Sequence, residues 1–156
     1  MVRLLVVCTM FLVADAAAQV QPSPVDLKAS YCLIVNANEL AIQKKLLDSV
    51  PPNDIDMREQ AQLPIDETSH RIDALRTYLA PRAPHEDQTA LTAAQRQADD
   101  DLSTIASDSV RSCAQRCGAL PQAQNQMSAY ATCTQACAPE SLTRIRACTD
   151  VSWLPK

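Results

Sequence analysis

Two pairs of cysteines, Cys113-Ala-Gln-Arg-Cys117 and Cys133-Thr-Gln-Ala-Cys137, stand fifteen residues apart and constrain this chain more than any other feature. Residues four apart on a helix lie on the same face, one turn above the other. Two cysteines placed in this way stand side by side, with Cβ atoms about 5–6 Å apart, whereas a disulfide wants roughly 3.5–4.5 Å. Each pair therefore needs partners on another element. A second helix with the same spacing, running antiparallel, supplies both. In such a hairpin the nested pairing joins Cys117 to Cys133 near the turn and Cys113 to Cys137 further out.

The turn carries its own signals. Gly118, the only glycine in the chain, follows Cys117 directly and reads as the left-handed residue that ends a helix. Pro121 blocks continuation. The second arm begins either at Pro121 or near Asn125, and the later start matches the two arms better in length. This spacing resembles the twin Cys-x3-Cys helical hairpins, which include the small chaperones of the mitochondrial intermembrane space and the plant α-hairpinin peptides. The resemblance covers about residues 113–137. It implies two nested disulfides on Cys113, Cys117, Cys133 and Cys137, and it implies a hairpin rather than an activity.

Residues 1–18 read as a secretory signal peptide: Arg3 gives a positive start, Leu4–Val13 an apolar run and Ala16-Ala17-Ala18 the small residues of a cleavage site. The apolar run is too short for a resident membrane span, so no stable membrane span is expected after cleavage. Cys8 lies inside the leader, and Val7 before it does not suit a lipidation site. Removal of the leader takes the cysteine count from seven to six: Cys32, Cys113, Cys117, Cys133, Cys137 and Cys148. An even count in an exported chain supports full pairing, although six cysteines allow fifteen connectivities. The nested hairpin leaves Cys32 with Cys148, a bridge from the first helix to the chain end. Such a long loop is worth about 4–5 kcal/mol in the loop-entropy picture.

Aromatic residues make up 3% of the chain and glycine occurs once, which argues for a thin core of Leu, Ile, Val and Ala and against phosphate-binding glycine loops. No alternating β-rich run is present. The expected fold is all-α: two antiparallel helical hairpins plus a short C-terminal helix, stapled by disulfides. Residues 19–156 form one mature domain in this reading, with an N-terminal hairpin at 25–80, a linker at 81–87, the Cys-x3-Cys hairpin at 88–138 and a short helix and tail at 139–156.

The first helix is expected over Val25–Ser49. Leu33, Ala37, Leu40, Lys44 and Leu47 recur at three or four, and Cys32, Val35, Ile42 and Leu46 widen the stripe. Pro51-Pro52 ends it. Asn53–Gln62 has helical character with Asn53 as a cap. Pro64 is expected to kink or restart the helix, leaving Ile65–Ala80 as the clearer segment. There Ile65, Ile72, Leu75, Tyr78 and Leu79 face one way, and Glu67, His70, Arg71, Asp73 and Arg76 face out. A third helix runs from near Asp87 to Cys117 with Leu91, Ala94, Ala98, Leu102, Ile105 and Val110 on its apolar stripe. Asp99-Asp100-Asp101 reads as a solvated acidic face, because consecutive carboxylates on a helix diverge. The fourth helix is Asn125–Cys137, with Met127 and Tyr130 near the cysteine side. A fifth follows Pro139, over Glu140–Cys148, with Leu142 and Ile145 inward, and Trp153 packs back on the bundle.

The net charge of −4, with signs mixed along the chain, argues against a nucleic-acid footprint. Lys44-Lys45 reads as a solvated face. Catalysis has little to build on. His70 and His85 are the only histidines, and both read as surface residues. No nucleophile elbow, HExxH motif, phosphate loop or CxxC redox motif occurs. No enzymatic activity and no cofactor are expected. The expected role is an exported, periplasmic or secreted, structural, binding or chaperone-like protein with a protein partner. The alternative is a helical bundle that binds zinc or copper through thiolates of Cys113, Cys117, Cys133 and Cys137.

Overall fold

The computed structural model describes residues 19–105, 108–119, 132–134, 136–137 and 139–155, the side chains of 108–110 and 114 excepted. The leader expected at 1–18, the turn at Pro121, and the start of the fourth helix with Met127 and Tyr130 lie outside the described residues, as does the side chain of Val110. What is described is all-α. Among these residues the one strand-like pairing is an isolated bridge between Val20 and Glu86.

The first helix, α1 (Pro24–Ser49), starts where its sequence tells it to. Ser23 is the N-cap, Asp26 closes a capping box with it, and Pro24 occupies the first turn. Val50, forced extended by the proline that follows, ends the helix. The second helix, α2 (Ile55–Leu79), is capped by Asp54, which accepts a hydrogen bond from Met57 N at 3.1 Å. The cap is therefore Asp54 and not Asn53, and the helix runs through Pro64 without a restart. Pro64 and its neighbours Gln60, Gln62 and Leu63 are exposed, so the carbonyl that the proline leaves without a donor can turn to water. Arg58 reaches back to Val50 O at 3.1 Å and Leu47 O at 3.5 Å, closing the connection between the helices.

α2 lies along one side of α1. On another side lies α3 (Gln88–Ile105). A fourth segment, α4 (Asp108–Gly118), carries Cys113 and Cys117, and residues 132–134 and 136–137 are helical opposite it. The last helix, α5 (Glu140–Arg146), packs on α3. The third helix of the sequence reading is thus described as two segments, with residues 106–107 between them outside the description, and the fifth ends at Arg146 rather than Cys148. Gly118 ends α4 without a positive φ. The left-handed cap read from its position is not formed.

The core lies where α1 meets the other helices: Ala29, Cys32, Val35, Leu75, Leu79, Ala98 and Cys148 are buried together. Small residues at this seam, Ala29 and Ser30 against Ala94 and Ala98, let α1 and α3 approach closely. Ser30 Oγ donates to Leu91 O at 3.4 Å, and Gln95 Nε2 donates to Ser30 Oγ at 3.2 Å. The buried face of α1 keeps Cys32 and Val35 of the expected stripe and departs from the rest of it. It centres on Ala29, Cys32, Val35 and Asn36, while Ala37, Ile42, Lys44 and Leu46 are exposed. The C-terminal half of α1 and the N-terminal half of α2 form an arm that is little covered: Leu46 is 60% exposed, Ile55 66% and Leu63 69%. Leu142 and Ile145 are half-buried, and the tail docks, with Val151, Trp153 and Leu154 packed on the core. Lys28 Nζ sits 4.0 Å over the Trp153 ring. The linker is not free either. Val20 N donates to His85 O and Asp87 N to Val20 O, both at 3.0 Å, so the N-terminal lead-in is held against it. Among the described residues no helix is long and apolar enough to cross a membrane.

Candidate functional site

The cysteines come first, because three disulfides pin the chain to itself. Cys113 is bonded to Cys137 and Cys117 to Cys133, with Cα atoms 5.8 and 5.7 Å apart. Cys32 is bonded to Cys148. These are the pairs that the one-turn spacing and the even count favour. Cys113 and Cys117 are buried on α4, whereas Cys133 and Cys137 are half-buried on the opposite arm. The sulfurs of Cys113, Cys117 and Cys137 lie within 4.8 Å of one another, a compact ligand set by distance alone. Sulfurs bonded to one another are not thiolates, and thiolates are what zinc and copper bind. With the bonds in place the cluster is a staple.

Around the Cys32–Cys148 bridge sits a polar network that the sequence reading missed. Asn36, with 0% exposure, donates through Nδ2 to Cys32 O at 2.8 Å and Cys148 O at 3.2 Å. Its Oδ1 accepts from Arg71 Nε at 2.7 Å. Arg71 was expected on the outer face of α2. It is buried instead, and its guanidinium also meets Thr68 Oγ1 at 2.8 Å, Glu39 at 3.1 Å and Glu67 at 3.2 Å. Every donor of a buried arginine must find an acceptor, and α1 and α2 supply them together.

A second network corrects the reading of the acidic run. Asp99 and Asp100 are exposed, but Asp101 is buried. Its carboxylate accepts from Arg144 Nε and Nη2 at 2.7 and 2.8 Å, from Tyr31 Oη at 2.8 Å and from Gln97 Nε2 at 2.9 Å. One side chain thus ties α1, α3 and α5. The Arg144 hydrogen bonds hold Asp101 down at about 2, against the pull of burial. Burial and the Asp101 contact push the Tyr31 phenol above its usual range.

A third cluster lies at the N-terminal seam. Asp26 and Glu86 are 5% and 6% exposed. Tyr78 Oη donates to Asp26 at 2.8 Å, the Ser23 hydroxyl and backbone N–H also donate to it, and Arg82 Nε stands 4.0 Å away. Burial pushes Asp26 up, but the bonds from Ser23 and Tyr78 outweigh it and hold the carboxyl below its usual value. Glu86 is pushed up by burial and then by the Asp26 charge. Its Oε2 has no donor among the described residues.

A cleft of about 720 Å³ lies between the second half of α1, the end of α3 and α5. Val35, Ile42, Leu102, Ile105 and Ile145 line it, with Arg146 at its edge. Gln43, which also lines it, has a buried Oε1 without a donor among the described residues. Ile42 belongs both to this cleft and to the exposed arm. His70 and His85 are exposed and lie in none of these clusters. A cleft assembled from helices far apart in sequence leaves no local motif, whereas Asn36 does leave one signal: an amide four residues after a cysteine on an apolar stripe. Compared with protein-family models, with characterised proteins and with solved structures, the chain finds no match.

Proposed function

We propose that this is an exported, disulfide-stapled helical protein that binds an apolar segment of a partner protein, with the periplasm as its compartment. The observation that carries the reading is that Ile42, on the exposed arm, also lines the apolar cleft. Apolar clefts between helices with a few polar groups at the edge are common binding sites, and exposed apolar patches mark interaction surfaces. Three disulfides suit an oxidising compartment, where they hold a thin core together while the apolar surface stays open.

A photo-activated cross-linking residue at position 42, tested in the cells that export the protein, examines this directly. A partner adduct is expected at Ile42 and not at the exposed Arg76 on α2. It should be lost when Ile105→Lys places a charge in the cleft, while Leu46→Lys on the arm weakens it with stability changed by no more than about 0.5 kcal/mol. Equal adducts at both positions, or none, would sink the proposal. The metal alternative is separated by intact mass. Three bonds and no leader leave the mature chain six protons light and closed to alkylation, whereas alkylatable thiols with bound zinc or copper would put the cysteine cluster forward as a metal site.

A further inference from the structure

The two hairpin disulfides touch each other. Cys117 Sγ lies 3.7 Å from Cys137 Sγ, although the two belong to different bonds. With Cys113 Sγ they make a cluster within 4.8 Å. Access to it is lopsided: Cys113 and Cys117 are buried, and Cys133 and Cys137 are half-buried. The same sulfurs can therefore be bonded in a second way without a large rearrangement.

We infer that the hairpin is a thiol–disulfide relay, in which a small thiol that opens Cys117–Cys133 causes Cys113–Cys137 to be exchanged for Cys117–Cys137. The incoming thiolate attacks Cys133 Sγ, the more accessible sulfur of its bond. A bond forms between the two, the Cys117–Cys133 bond breaks, and its electron pair stays on Cys117 as a thiolate. That thiolate is buried and poorly solvated, and Cys137 Sγ is the disulfide sulfur beside it. Attack there forms Cys117–Cys137 and breaks Cys113–Cys137, and the electron pair passes to Cys113, which takes up the proton that the incoming thiol gave up. Two sulfur–sulfur bonds are present before and two after, so nothing is oxidised or reduced overall. Exchange between a thiolate and a neighbouring disulfide is governed by thiolate fraction and access, and here the contact is built in. A thiol arriving near the turn thus frees a cysteine in the outer rung, where α4 is anchored. This inference is independent of the cleft and its partner.

The Cys133→Ser protein isolates the second step, because it leaves Cys117 unpaired beside the Cys113–Cys137 bond. After acid quenching, denaturation, alkylation and peptide mapping, the label is expected on both Cys113 and Cys117, together with a peptide cross-linked through Cys117–Cys137. Label on Cys117 alone would overturn the relay. Should that variant not fold, the native protein is treated with less than one equivalent of glutathione and quenched early. The expected species carries glutathione on Cys133, a Cys117–Cys137 bond, a free Cys113 and an untouched Cys32–Cys148. A thiol that remains on Cys117 beside an intact Cys113–Cys137 bond, or a hairpin that resists glutathione while Cys32–Cys148 opens, would overturn it as well.

Discussion

Buried carboxyls of opposite habit sit in the two seams that flank α1. Asp101 is held at about 2 by the Arg144 hydrogen bonds, so its contribution to stability is present above its ordinary 3.8 and is lost as pH falls through the lowered value. Asp26 has the same sign. Glu86 has the opposite one. Burial and then Asp26 raise it, so its contribution is complete below its ordinary 4.5 and is lost as pH climbs through the raised value. Among the groups around Glu86, Asp26 on α1 repels its charge, which outweighs the opposing pull of Arg82, and Tyr78 on α2 spends its proton on Asp26. Protonated, Glu86 becomes a donor, and its unpartnered Oε2 gains a use. Melting temperatures across about pH 2 to about pH 7 should therefore pass through a maximum. Glu86→Gln is expected to flatten the limb above the maximum and Asp101→Asn the limb below it. A Glu86→Gln profile that overlays the native one would show that Glu86 ionises without consequence.

At the scale of elements, periodicity and punctuation carried the reading as far as helix ends and no further. Pro51-Pro52 ends α1 as read because proline acts locally, whereas the Ser23 cap at its start went unread. The burial pattern was less legible, because it depends on which helix lies opposite. The expected stripe holds at Cys32 and Val35, and the packing of α2 and α3 on α1 moves its centre toward Ala29 and Asn36. Arg71 and Asp101 read as surface residues for the same reason: Asn36 and Glu39, which meet Arg71, and Tyr31 and Arg144, which meet Asp101, lie 30 or more positions away in sequence. Pro64 does not restart α2, since an exposed proline removes one hydrogen bond and leaves the freed carbonyl open to solvent. Gly118 stands where a left-handed cap is expected, yet it is an ordinary helical residue, and a Cβ there would meet nothing within 4 Å. Gly118→Ala should thus stabilise the protein by about 0.5–1 kcal/mol through helix propensity and a stiffer unfolded chain. Urea denaturation measures this, and a loss of stability would mean that the end of α4 needs the freedom of glycine after all.

Across the whole molecule the bridges divide the labour. Cys117–Cys133 closes 16 residues and Cys32–Cys148 closes 116, which the loop-entropy picture values at about 3 and about 5 kcal/mol. Against a total of about 5–15 kcal/mol for a domain, the long bridge is a large share. It is also the better protected, with Cys32 and Cys148 both buried in the core and held from the backbone side by Asn36. The half-buried Cys133 and Cys137 expose the hairpin to reductant first. Trp153, the sole tryptophan, reports on the difference, because it docks on α1 beside Lys28, five residues beyond Cys148. Under graded reduction the hairpin bonds should therefore open first with tryptophan emission unchanged. The red shift of an undocking tail should appear only as Cys32–Cys148 opens, and in the Cys32→Ser/Cys148→Ser protein it should appear without reductant at a lower temperature. Peptide mapping at each step fixes the order of opening. If the emission shifted together with the hairpin bonds, the hairpin and the body would unfold as one cooperative unit, and the long bridge would no longer be what holds the tail.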